Sequence, residues 1–150
     1  MLFFIIYQII LMKAELTKRL MQLSKDLVLT AQGMTLSTIN RNSVEKCVES
    51  GTNAGSEYAQ ASATTTKKAF TFKINMCKQQ LNAASYWLEL LTETSKDKKA
   101  ELEKLFAEAK DLALIFNRIS RKLKKWDSEE NKETKKAEEK PEDTEESEEK

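Results

Sequence analysis

From Met12 onward, apolar residues recur every three or four positions through four separate stretches of the chain, the spacing that gathers side chains on one face of an α-helix. Leu16, Leu20, Leu23 and Leu27 mark the first stretch, which is predicted to end near Gly33. The second starts after Asn40 or Asn42, either of which suits a helix cap. It runs to about Ala63, with Val44, Cys47, Val48, Gly51, Ala54, Gly55 and Tyr58 facing inward. Thr64, Thr65 and Thr66 supply the next break and cap. The third stretch repeats most cleanly, through Phe70, Ile74, Cys77, Leu81, Ala84, Leu88 and Leu91, which is the pattern of a bundle seam. The fourth opens at Ser95, read as its cap, and carries Leu102, Leu105, Ala109, Leu112, Phe116, Ile119 and Leu123.

Four amphipathic helices with short connections bury their stripes most simply as an antiparallel up-down-up-down four-helix bundle. The predicted fold is therefore all-α, with the bundle over residues 13–126. Phe72, Met76, Trp87, Leu90, Phe106, Leu114 and Ile115 lie off the seams, and such an apolar surplus predicts a subunit interface. Two flanks differ from the body. Residues 1–12, MLFFIIYQIILM, form an apolar leader with no basic start and no small-residue cleavage site, too short for the ~20 residues of a spanning helix. It reads most economically as an over-extended start with Met12 as the true one; if it is translated, the alternatives are packing on a partner helix or attachment to a bilayer surface, and a membrane partner is the less expected of these. Residues 127–150 hold twelve acidic and five basic side chains and a single apolar residue, Ala137, so an acidic disordered C-terminal tail is predicted.

Chemistry is sparse. The chain has no histidine, which removes the commonest general base and metal ligand. Cys47 and Cys77 both fall on apolar helical positions and read as small buried hydrophobes in a reducing compartment, hence cytoplasmic. Glu45 with Glu49, and Glu101 with Glu108 and Asp111, have helical spacings, but a bundle di-metal site wants inward-facing Glu-x-x-His pairs. These acids read as solvated faces. Ser50 and Thr52 lack a base to activate them and are expected to hydrogen-bond within their helix. No catalytic residue, metal or cofactor is expected, and the chain is not read as an enzyme.

Two strings narrow the picture. Ser50-Gly51-Thr52-Asn53-Ala54-Gly55-Ser56-Glu57-Tyr58 sets two glycines four residues apart inside a helix, at a cost of roughly 1 kcal/mol each that points to close approach of a neighbour. Tyr86-Trp87-Leu88-Glu89-Leu90-Leu91 is a dense aromatic and aliphatic cluster. Gly51, Ala54, Gly55, Tyr58, Tyr86, Trp87 and Leu90 are accordingly the expected helix-packing or oligomer residues. With Phe70 and Lys73, these strings resemble the bacterial four-helix-bundle family encoded in intervening sequences of large-subunit ribosomal RNA genes, over about Leu16 to Lys125. Where relatives carry a lysine and two glutamates before the Tyr-Trp pair, this chain has Gln79, Gln80 and Ala83. The resemblance implies a homo-oligomer, in the family a pentamer. It also implies kinship with accessory bundle proteins of diversity-generating retroelements, which associate with a reverse transcriptase and nucleic acid.

Charge suggests what such a bundle touches. Setting aside the tail leaves 20 basic against 12 acidic residues in the body. An up-down-up-down order brings the start of helix one, the end of helix two, the start of helix three and the end of helix four to one pole. That pole gathers Lys13, Lys18, Arg19, Lys67, Lys68, Lys73, Arg118, Arg121, Lys122, Lys124 and Lys125, opposed by Glu15 and Glu57. It is a candidate surface for RNA or DNA bound electrostatically, without base readout, and the acidic tail is a candidate competitor for it. The alternative is a protein-interaction or accessory module that does not itself bind nucleic acid.

Overall fold

The computed structural model describes residues 2–138. They form four α-helices, α1 Leu2–Gln32, α2 Arg41–Ala63, α3 Lys67–Thr94 and α4 Lys99–Glu138. Consecutive helices pack side by side and α1 closes the ring lightly against α4, which is the antiparallel bundle expected from the four stripes. Its core holds Leu16, Leu20, Leu23 and Leu27 of α1, Val44, Cys47, Ala54 and Tyr58 of α2, Ile74 to Leu91 of α3 at the predicted spacing, and Leu102 to Leu123 of α4. Phe70, Val48 and Ile119 are only half-buried. Beside Ile119, the α3–α4 seam takes up a polar residue instead: the buried Ser120 hydroxyl donates to Asn75 Oδ1 at 2.7 Å.

The helix ends follow from local hydrogen bonding. Thr66 caps α3 as expected, its Oγ1 accepting from the Ala69 N–H at 3.2 Å. Asn40 precedes α2 but makes no side-chain cap bond. Its amide instead ties the preceding loop, with Oδ1 accepting from Ser37 N–H at 2.7 Å and Nδ2 donating to Thr35 O at 3.1 Å. Ser95 is a correction: it closes α3, its N–H donating to Leu91 O at 2.8 Å. The helix α4 opens only after Lys98, whose φ of 58° puts the chain in the left-handed region, a conformation that a helix cannot pass through.

The flanks also differ from expectation. Disorder does not begin at Asp127, because α4 continues without a break to Glu138. Glu, Lys and Ala there are good helix formers, and Lys67 of α3 holds two successive turns, through Asp127 at 2.9 Å and Glu130 at 2.6 Å. Residues 139–150 of the expected tail lie outside the described residues, as does Met1 of the leader. From Leu2 the leader is one continuous helix with the rest of α1, and every described side chain from Leu2 to Glu15 is exposed. Among the described residues, no helix is long and apolar enough to cross a membrane.

Cys47 and Cys77 are free thiols in the core, and desolvation pushes each up to about 12. A thiol raised in the folded state keeps its full contribution to stability below its unfolded pKa near 8.5–9 and loses it as pH climbs toward the folded value. Thermal unfolding in a pH series is therefore expected to show stability falling between about pH 9 and 12, less steeply in a Cys47→Ala/Cys77→Ala protein. Neither native thiol should react with a thiol reagent at pH 7 before unfolding; rapid labelling of both would show that they are not buried.

Candidate nucleic-acid interface

The four helices place the eleven basic residues in two different electrostatic situations. Arg19 faces α4, donating through Nε and Nη2 to Glu108 at 2.8 and 2.9 Å and through Nη2 to Asp111 at 2.6 Å. Its guanidinium is held well above its ordinary pKa by Glu108 first and Asp111 second, against the opposing effect of burial. Arg19 is therefore a clamp between α1 and α4, and Glu108 and Asp111 are its acceptors, not merely solvated acids. Lys73 bridges to α2, 2.9 Å from Glu57 and 2.7 Å from Gln60 Oε1. Lys67 is raised by Glu130 and then Asp127, and its ammonium also lies 4.9 Å from the centre of the Trp126 ring. Lys125 is 3.8 Å from Glu129, one turn along α4.

The other seven, Lys13, Lys18, Lys68, Arg118, Arg121, Lys122 and Lys124, are exposed and make no ion pair among the described residues. On α4, Arg118, Arg121, Lys122 and Lys125 follow one another at i, i+3, i+4 and i+7, so they share the outer face of that helix. At 1.5 Å per residue the row is about 10 Å long. It is the densest part of the predicted pole, whereas Arg19, Lys67 and Lys73 are engaged in holding helices together. Sequence reasoning missed their partners because an ion pair across the bundle depends on the rotation of two helices about their own axes.

The packing residues also separate into two groups. A Cβ on Gly51 would lie 2.1 Å from Leu27 Cδ1, and one on Gly55 would lie 3.2 Å from Ser24 Oγ. The glycines thus admit α1 to close range of α2. Ala54 and Tyr58 are buried beside them, and Tyr58 meets Phe116 of α4 edge to face with ring centres 5.3 Å apart. Ser50 and Thr52 bond within their own helix, their hydroxyls donating to Lys46 O at 2.7 Å and Val48 O at 2.8 Å. Tyr86, Trp87 and Leu90, by contrast, stand on the back of α3. With Phe72, Met76 and Ala83 they form a second apolar stripe, interrupted by Gln79, on the side away from the seam. Phe72 is 60 % exposed and Tyr86 59 %. Trp87 rests partly on the core and meets Tyr86 edge to face at 5.1 Å. Among the described residues, no group of three or more acidic or sulfur ligands could hold a metal ion.

No protein-family model matches the chain, and no curated protein matches it. Among solved structures, the chain is similar to a protein of unknown function from the S23 ribosomal protein family of Bacteroides thetaiotaomicron, with a TM-score of 0.63 and 18 % sequence identity. The likeness covers 70 % of this chain and 97 % of that one, and it is a likeness of fold.

Proposed function

We propose that this chain is a non-enzymatic, homo-oligomeric bundle protein that binds RNA or DNA through the phosphate backbone. The observation that supports it most is the exposed row Arg118, Arg121, Lys122 and Lys125 on α4, beside Lys124 and at the pole that also carries Lys13, Lys18 and Lys68. Cations in such a row displace condensed counterions from a polyanion, which gives affinity without sequence readout. The lack of histidine in the sequence and the burial of both thiols support the non-enzymatic reading. The apolar back of α3 supports self-association, because a bundle helix needs one apolar face for its own core and a second only for a neighbour. The Ser-Gly-Thr and Tyr-Trp-Leu strings favour kinship with the ribosomal-RNA intervening-sequence proteins, and through it a pentamer. The shared fold with the S23-family protein agrees with that kinship. Buried reduced thiols fit a cytoplasmic compartment.

A salt titration with labelled generic RNA tests the binding. Affinity should fall steeply with salt, and Arg118→Gln/Arg121→Gln/Lys122→Gln should bind at least about tenfold more weakly at low salt, with the log–log slope reduced by about 2. Failure to bind RNA or DNA even at about 50 mM salt would favour the other reading, a module whose α3 stripe recruits a protein such as a reverse transcriptase. The mass of the native particle in solution reports the oligomer.

A further inference from the structure

The bundle and the basic row leave unexplained the largest concentration of exposed apolar surface, the first three turns of α1. We propose that this segment, Leu2–Met12, seats the protein on one leaflet of an anionic lipid membrane, an activity separate from nucleic-acid binding and not dependent on it.

Between Leu2 and Met12 no side chain is charged, and Gln8 and the Tyr7 hydroxyl are the only polar groups. The segment is helical, yet Leu2 is 73 % exposed and Ile10 58 %. At 100° per residue, Leu2 and Ile9 point one way, Ile10 a second, Phe4 and Leu11 a third and Met12 a fourth. One partner helix or groove covers a single stripe, whereas a helix that is apolar all round is matched by surroundings that are apolar all round. Eleven residues at 1.5 Å per residue give about 16 Å, close to half of the ~30 Å hydrocarbon core. That length reaches into one leaflet and not across two, in keeping with the absence of any helix fit to cross.

The charge around the segment selects the kind of surface. Lys13 follows directly and Lys18 comes one turn and a half later, both exposed. Lys68, Lys122 and Lys124 lie at the same pole, and these five make no ion pair among the described residues. Glu15 and the α4 residues Glu129 and Glu133 lie at this pole too, but Lys13 and Lys18 sit at the root of the segment itself. An apolar stretch with cations at its root matches acyl chains beneath anionic headgroups, where each lysine near the surface adds to binding. Trp126, 62 % exposed at this end, is the type of ring that settles at the lipid–water boundary. A second copy docking pole to pole would set the same cations against each other, so charge favours lipid as the occupant.

Vesicle flotation of the full chain tests this. The protein should float with vesicles containing about one-third phosphatidylserine at least tenfold more than with neutral phosphatidylcholine vesicles. Phe4→Glu/Ile10→Glu, which alters exposed positions and should leave the helical circular dichroism intact, should abolish flotation. Lys13→Gln/Lys18→Gln should narrow the difference between the two vesicle types. The Arg118→Gln/Arg121→Gln protein should still float, even if RNA binding is lost, and Phe4→Glu/Ile10→Glu should still bind whatever RNA the parent binds. Absence of the parent from floated anionic vesicles would overturn the proposal, as would unchanged flotation of the glutamate variant. Conversion of a larger particle to a smaller one by Phe4→Glu/Ile10→Glu, with no vesicle binding by the parent, would assign the segment to a second copy and equally overturn it.

Discussion

Phe116→Ala is expected to destabilise the protein by about 4 kcal/mol, the middle of the range for removing a buried ring. Phe116 has no exposed surface and sits where α4 crosses the interior to α2, its ring edge to face with Tyr58 at an interplanar angle of 86°. Alanine removes that contact and leaves a void that the surrounding leucines fill only in part, because helices already in contact with two neighbours cannot close on it. For a chain of this length the melting temperature should drop by about 12 °C. Phe116→Leu, which keeps most of the volume, should cost about 1.5 kcal/mol or less. Urea or thermal unfolding checks both; an alanine variant within about 2 °C of the parent would show that the interior is looser than the structure has it.

The second large effect is expected at Gly51. A leucine there drives its Cβ to within 2.1 Å of Leu27 Cδ1, and the rest of the side chain has nowhere to go between α1 and α2. Leu27 can turn its methyl aside, but it is itself 2 % exposed, so the displacement passes on to α1 as a whole. The gain in helix propensity of at most about 1 kcal/mol offsets little of an overpacking cost of about 3 kcal/mol or more. Gly55→Ala provides the contrast. Its Cβ would meet Ser24 Oγ at 3.2 Å, where a few tenths of an ångström suffice, and its effect should stay within about 1 kcal/mol of zero. Equal melting temperatures for Gly51→Leu and the parent would contradict the close approach of α1 to α2.

The same residues show how much the sequence discloses. Leu20, Leu23, Ile74, Leu81, Leu88 and Leu112 were legible as core because helical periodicity depends only on neighbours a few positions away, and all six are almost wholly buried. Gly51 was legible as a contact because glycine within a helix calls for a reason. Arg19 was not. Its charge suggested a polyanion surface, and only the mutual rotation of α1 and α4 aims it at Glu108 and Asp111, about ninety positions along the chain. Ser95 was misplaced because the residues that suit the start of one helix also suit the end of another, and the left-handed Lys98 that separates α3 from α4 carries no compositional mark. The helix beyond Trp126 was hidden by net charge, which predicts solvation; the pairing of Asp127 and Glu130 with Lys67 is a matter of register between α3 and α4.

The light seam between α1 and α4 has a consequence for how the molecule comes into being. Nearly all other helix packing is between consecutive helices, joined by links of eight, three and four residues. Each new helix can therefore dock on the one before it as the chain is synthesised, at little cost in loop closure, which is the topology of a rapid folder. On that order the ring is expected to shut last, when Arg19 meets Glu108 and Asp111. The same seam, the lightest in the ring, is where opening of the finished protein is expected to begin, as faster amide exchange along α1 than along α3 would show.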